Sequence, residues 1–359
     1  MGLKLSCTLF IFFLLVLEFL AFAKGKNESH NLYSSNVLIS GTIVVSQDGS
    51  GNFSNINQAV AAAPNNSDAR NGYFLIYIKE GKYEEYVSIP ESKTYLMMVG
   101  QGINRTIITG NRSHGDGWQT YESQTFVVAA TGFVAVNITF QNTAGPKKMQ
   151  AVALRNEANL STFYRCSFEG YQDTLCVDSK KQFYRECDVY GTIDFIFGNA
   201  QVVLQNCNIY LRLPLDGQFN VIAAQGRTSP INDTAISIQN CNIRPADDLA
   251  SRPIGSVKTY LGRPWQEYSK TIVMQSFLDS LIDPAGWSVW NDTGFALSTL
   301  YFAEYDNKGP GANTSSRVRW AGYHIINDID AAKFTVANFL KGNDWLPQTG
   351  VSYIPGLIT

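Results

Sequence analysis

The stretch "KQFYRECDVYGTIDFIFGNAQVVLQNCNIY", residues 181–210, states one phrase twice. Alternating apolar residues lead to Cys187-Asp188-Val189, and "AQVVLQNCNIY" then leads in the same way to Cys207-Asn208-Ile209. Outward from this pair, "FVAVNITFQN", "STFYRCSFEG" and "TAISIQNCNIR" carry the phrase to Val136-Asn137-Ile138, Cys166-Ser167-Phe168 and Cys241-Asn242-Ile243. Successive offsets are 30, 21, 20 and 34 residues. Strand-like alternation on a rung of about 20 residues, lengthened by loops, predicts a β-solenoid rather than a sandwich.

Inside the quoted stretch, Asp194 stands between Ile193 and Phe195. An ionised carboxylate in an apolar run is costly unless it is paired or hydrogen-bonded. Asp194 is therefore either a neutralised structural group or a reagent. Asp173 in "YQDTL" lies 21 residues earlier, one rung away. That spacing places the two carboxylates side by side on neighbouring strands, where their pKa values are pushed apart. Arg263 in "YLGRPW" is a candidate bidentate partner for the ionised one. Gln150 and Gln172 supply amide donors for a developing oxyanion. Taken singly, each of these residues reads as a rung of a structural ladder, with Arg263 as an ion-pair partner. Taken as five, they supply an acid, a nucleophile, an orienting cation and an oxyanion site.

The bulk composition narrows the alternatives. Aromatic residues at 13%, 29 glycines and only 16% charged residues describe a β-rich chain, and a net charge of −2 argues against a nucleic-acid binder. Only three histidines occur, and there is no CxxC, GxSxG, HExxH, P-loop or dinucleotide fingerprint. A metal or organic cofactor is accordingly not expected.

Lys4, the apolar run "LFIFFLLVLEFLAF" and Ala21-Phe22-Ala23 predict a signal peptide over residues 1–23. A polar lead-in is expected over 24–40 and one continuous domain over 41–359. Ten N-x-S/T sequons, the first at Asn27, agree with a secreted glycoprotein, soluble and free of the membrane after cleavage. Cys7 leaves with the signal segment, so five cysteines remain: Cys166, Cys176, Cys187, Cys207 and Cys241. Rungs roughly 4.8 Å apart suit a Cys187–Cys207 disulfide, with Cys166–Cys187 the competing pairing. "FSNINQAVAAAP" (53–64) predicts a short helix with Ser54 as N-cap and Pro64 as terminator, placed to cap the open N-terminal end of the solenoid.

The chain resembles the plant pectin methylesterases (pectinesterases) across most of residues 42–348. The resemblance rests on "GKYEEYV" (81–87), "NITFQNTAG" (137–145), "QAVALR" (150–155), "YQDTL" (171–175), "YGTIDFIFGNA" (190–200), "AQGRT" (224–228), "YLGRPW" (260–265) and "DPAGW" (283–287). It implies an all-β, right-handed parallel β-helix that removes methyl esters from polygalacturonate in the cell wall. It implies Asp194 as nucleophile and Asp173 as the acid that later acts as base. Gln150 and Gln172 take the oxyanion-stabilising role, and Arg263 positions the nucleophile and binds substrate. Thr120, Phe197, Trp265 and Trp287 line the substrate cleft, Cys187 and Cys207 match a disulfide pair, and proteinaceous pectinesterase inhibitors become candidate partners of a monomer.

Two departures from the family pattern stand out. Where the family continues "QDTL" with an aromatic and then a histidine, this chain has Cys176 and Asp178. No long inhibitor-like region precedes the domain, which implies the form lacking it. The rival readings are a pectin-binding solenoid without turnover, and a lyase or galacturonase on the same fold.

Overall fold

The computed structural model describes residues 37–358. The signal segment, nearly all of the lead-in, Cys7 and the Asn27 sequon lie outside the described residues. From Ile39 onward the chain winds through three parallel sheets of eleven, seven and eight strands. One turn shows the scheme. Lys181–Arg185 lies in the eleven-stranded sheet, Asp188–Gly191 in the eight-stranded sheet and Ile196–Gly198 in the seven-stranded sheet. The next turn lays Gln201–Gln205, Asn208–Leu211 and Asn220–Gln225 on top of them in parallel register. This is a right-handed parallel β-helix.

Sharp corners make the winding possible. Asn137, Arg165, Glu186, Asn206, Asn240 and Gln275 each take a left-handed backbone, with φ between 51° and 58°. Each ends a strand of the eleven-stranded sheet and turns the chain into the eight-stranded one. A single αL residue reverses direction within one peptide, at a steric cost that the stacked rungs offset.

These corners correct one sequence alignment. Ser167 pairs with Thr139 and Phe168 with Phe140, so Cys166 lies above Ile138 rather than Val136. The offset of that first rung is 28 residues, not 30. A slip of two residues keeps every side chain on its own face, so the apolar pattern is blind to it. The three later offsets stand as read from the sequence: Ser167 pairs with Asp188, Asp188 with Asn208 and Asn208 with Asn242.

Inside the coil, like residues stack on like. Phe140 stacks on Phe168 with centroids 5.7 Å apart, and Phe163 on Tyr184 at 5.0 Å. Cys166, Cys187, Cys207 and Cys241 form a buried column beside them. The expected Cys187–Cys207 disulfide is absent, as is its competitor Cys166–Cys187: all five described cysteines are free thiols. The Cys187 and Cys207 side chains meet across adjacent rungs as thiols, without a covalent bridge. The sulfurs turn to backbone carbonyls. Cys187 donates to Phe163 and Arg185 at 3.4 Å, and Cys207 to Tyr184 and Gln205 at 3.6 Å.

The N-terminal end of the coil is covered. The N-terminal helix spans Ile56–Ala62 and buries Ile56, Ala59 and Val60 against the first rungs. Its cap is Asn55, which accepts from the Gln58 amide, rather than Ser54. The Glu85 carboxylate accepts from the Ile56 and Asn57 amides, completing the helix start. The C-terminal segment instead lies along the side of the coil, where Val336, Phe339, Leu340, Trp345 and Leu346 pack on the outer face of the eleven-stranded sheet, over Phe183, Val203 and Ile272. No helix among the described residues is long and apolar enough to cross a membrane.

Candidate active site

The outer face of the seven-stranded sheet carries the site. Strand register aligns Val127, Arg155, Cys176, Phe197 and Ala224 in one outward row, each on its own rung. The Arg263 amide donates to the Ala223 carbonyl at 2.9 Å and carries the row on to Arg263. Val152, Cys176, Phe197 and Ala224 form a small apolar floor, with Tyr121 and Trp265 packed against it. Phe197 and Trp265 meet edge to face at 6.0 Å. Gly226 is what lets Trp265 settle there, since a Cβ at that position would lie 2.7 Å from the indole ring.

Asp173 and Asp194 stand at the corner that feeds this sheet. The Asp173 amide donates to the Ile193 carbonyl at 3.1 Å, and the Thr192 amide to the Tyr171 carbonyl at 2.9 Å, so the two acids occupy the same place on consecutive rungs. Both take a left-handed backbone, Asp173 at φ 61° and Asp194 at φ 52°. Aspartate tolerates αL better than most residues, and strained positions of this kind gather at functional sites. Arg263 grips Asp194 in a fork, Nε to Oδ1 at 2.8 Å and Nη2 to Oδ2 at 2.6 Å. The guanidinium itself is covered by the Trp290 ring at 4.5 Å.

Burial pushes both carboxyls up, but unequally. Asp173 is held well above the usual carboxylate range, first by burial and then by the neighbouring Asp194 charge, with Arg263 only partly opposing. Asp194 is also raised by burial, while its direct bonds to Arg263 pull it back. Asp194 therefore loses its proton first, and Asp173 keeps one beside it.

Gln172 shares the Asp173 rung and Gln150 lies on the rung beneath it: the Ala151 amide donates to the Gln172 carbonyl at 3.2 Å. The Gln150 side-chain oxygen is buried without a protein partner. Thr120 opens the short turn Thr120–Glu122, whose next residue, Tyr121, packs on the apolar floor. Asp173, Asp194 and Arg263 thus stand beside the Phe197–Trp265 floor, with Gln172 next to Asp173 in the chain and Thr120 next to Tyr121.

Trp287 does not join them. It is 1% exposed and stacks on Phe302 with centroids 4.4 Å apart. Its indole N–H donates to Glu304, which also pairs with the buried Arg317. Trp287 is a core residue that holds a buried ion pair. The ring the cleft uses instead is Trp290, three residues later in "WSVW". Nothing in that short motif says which indole turns inward, and Tyr121 carried no sequence signal at all. At the other departure, Cys176 is fully buried in the floor, and Asp178 pairs with Arg155 at 3.1 Å.

Comparison with known proteins gives the family. A family model described as "Pectinesterase" matches residues 42–343. The chain belongs to the pectinesterase family. It is 61% identical, over 94% of its length, to the probable pectinesterase/pectinesterase inhibitor 7 of Arabidopsis thaliana, and 55% identical, over 88%, to pectinesterase 2 of Citrus sinensis. It spans 58% of the first of these relatives and 60% of the second. Among solved structures, the pectin methylesterase from carrot superimposes with a TM-score of 0.86 at 48% identity, covering 90% of this chain and all of the carrot one. The pectin methylesterase from Aspergillus niger does so at 0.72 and 30% identity, covering 89% of this chain and 98% of its own. The fold sets the paired acids on the face of the coil that also carries Cys176 and Asp178.

Proposed function

We propose that this chain is a secreted pectin methylesterase that hydrolyses the methyl esters of polygalacturonate with an aspartyl nucleophile. The observation that carries the reading is the pair of acids in unlike states: Asp194 forked by Arg263, Asp173 buried beside it without a cation of its own. The Arg263 fork uses one lone-pair direction on each Asp194 oxygen and leaves others free to attack. An Asp194 oxygen adds to the ester carbonyl carbon while the amides of Gln150 and Gln172 stabilise the oxyanion. The carbon–methoxy bond breaks, and the Asp173 proton passes to the leaving oxygen to give methanol. Water then attacks the acyl-enzyme and yields its proton to Asp173. The galacturonate carboxylate departs and Asp194 is restored. Each step is assigned to a side chain, and the reading calls for no cofactor.

Phe197, Trp265 and Trp290 offer rings on which sugar faces can pack, with Thr120 at the rim. A signal segment over 1–23, work in the cell wall, a monomeric state and inhibition by proteinaceous pectinesterase inhibitors belong to the same proposal. The test is methanol release from highly esterified pectin with EDTA present. Wild type is expected to release methanol without shortening the polymer or forming unsaturated ends. Asp194→Asn is expected to lose at least about a thousandfold in kcat. An undiminished rate in that variant rules out the nucleophile, and no methanol from wild type leaves a binder.

A further inference from the structure

Four rungs below Arg263 on the same outward row, Arg155 is sequestered. Its Nη2 lies 2.9 Å from Glu157 and 3.1 Å from Asp178, and Nε lies 3.4 Å from the same Asp178 oxygen. Nη1 reaches the Tyr121 carbonyl at 3.5 Å, and the guanidinium plane sits 4.7 Å from the Tyr121 ring centre. One cation against two carboxylates leaves a net charge of −1, and all three side chains are about a quarter to a third exposed. Tyr121 ties this group to the reacting centre: it packs on the Cys176–Phe197 floor, and its hydroxyl is raised by burial and then by Cys176 and Asp178, with Asp173 contributing.

We propose that Asp178 and Glu157, holding Arg155 between them, are specificity-determining residues that disfavour an already de-esterified galacturonate in the part of the cleft beside Cys176. The inference rests on the pectin methylesterase reading. A polymer lying along this face presents either a neutral methyl ester or a carboxylate at each unit. A carboxylate arriving here meets net negative charge, and the fork of Arg155 has no free edge to offer it. The same repulsion acts on the product carboxylate whenever the chain slides toward Arg155. One like charge at a partly exposed contact distance is worth a factor of about three to ten.

The experiment measures kcat/KM on highly esterified and on randomly half-de-esterified pectin, and the Kd for fully de-esterified polygalacturonate. Asp178→Asn and Glu157→Gln are each expected to raise the half-to-highly-esterified ratio about threefold and to tighten polygalacturonate binding by a similar factor, with the double variant exceeding either. Arg155→Gln, which leaves two unbalanced carboxylates, moves both quantities the opposite way. High salt narrows all the differences. An unchanged ratio and Kd in the carboxylate variants, or a shift of one sign in all the variants, overturns the proposal. The binding arm reads even without turnover, so loss of methanol release in wild type defeats the esterase reading separately.

Discussion

Asp173 and Asp194 differ in one respect that decides their chemistry: only Asp194 has a guanidinium bonded to it. The contrast has a measurable consequence for stability. A carboxyl raised on folding keeps its proton at pH values where the unfolded chain has released its own. Wild-type stability therefore falls as pH rises from the ordinary carboxylate range toward the elevated titration of Asp173. Below the unfolded carboxyl's pKa both states are protonated and the loss disappears. Asp173→Asn cannot release a proton, so it is expected to melt about 2–4 °C above wild type at neutral pH. The gap should close below about pH 4. Melting curves across pH check this, and a variant less stable than wild type at neutral pH contradicts it. On the proposed mechanism the same residue is expected to set the alkaline limit of turnover, since a deprotonated Asp173 has no proton to give the leaving methoxide.

Between single residues and the whole coil lie the straps that fasten its C-terminal tail. Gln205, Gln239 and Gln275 sit on successive rungs and bind the C-terminal tail through their amides. Gln205 gives and takes with Ile354 at 2.9 Å each way, Gln239 donates to Gly356 at 2.9 Å, and Gln275 pairs both ways with Ile358 at 2.7 and 2.9 Å. Gln205 also passes a bond to Gln239 and takes one from Arg185. The ladder acts as a polar zipper along the coil axis, perpendicular to the strands. Gln205→Ala removes both Ile354 bonds and leaves Arg185 short of an acceptor. It is expected to cost about 1–3 kcal/mol and to speed hydrogen exchange at the Ile354 amide. Unchanged exchange there means that the tail is held by its apolar contacts alone.

The coil as a whole is held by stacks running through many rungs, so no single rung is independent of its neighbours. Phe168 touches Phe140, Phe163 and Tyr184, which belong to three different turns. Truncation to alanine opens a cavity that rigid rungs above and below cannot fill. Phe168→Ala is expected to cost about 3–5 kcal/mol in a denaturant titration. A loss under about 1 kcal/mol would mean that the coil closes over the gap. The candidate site depends on the same stacking: Arg263 meets Asp194 across 69 residues of sequence, and correct alignment of every intervening rung brings them together.

The amino-acid order fixes the solenoid and its acid pair through periodicity. One rung of 21 residues is enough to say that Asp173 and Asp194 are neighbours, because parallel stacking turns a sequence interval into a contact. Three of the four offsets hold for that reason. The fourth slips by two residues at Asn137, where an αL corner rather than the apolar alternation sets the register. Side-chain direction is not written in spacing at all. Whether Trp287 or Trp290 faces the cleft depends on a buried Glu304–Arg317 pair that claims one indole. The folded packing settles this choice because it is a contest between neighbours brought together from distant parts of the chain.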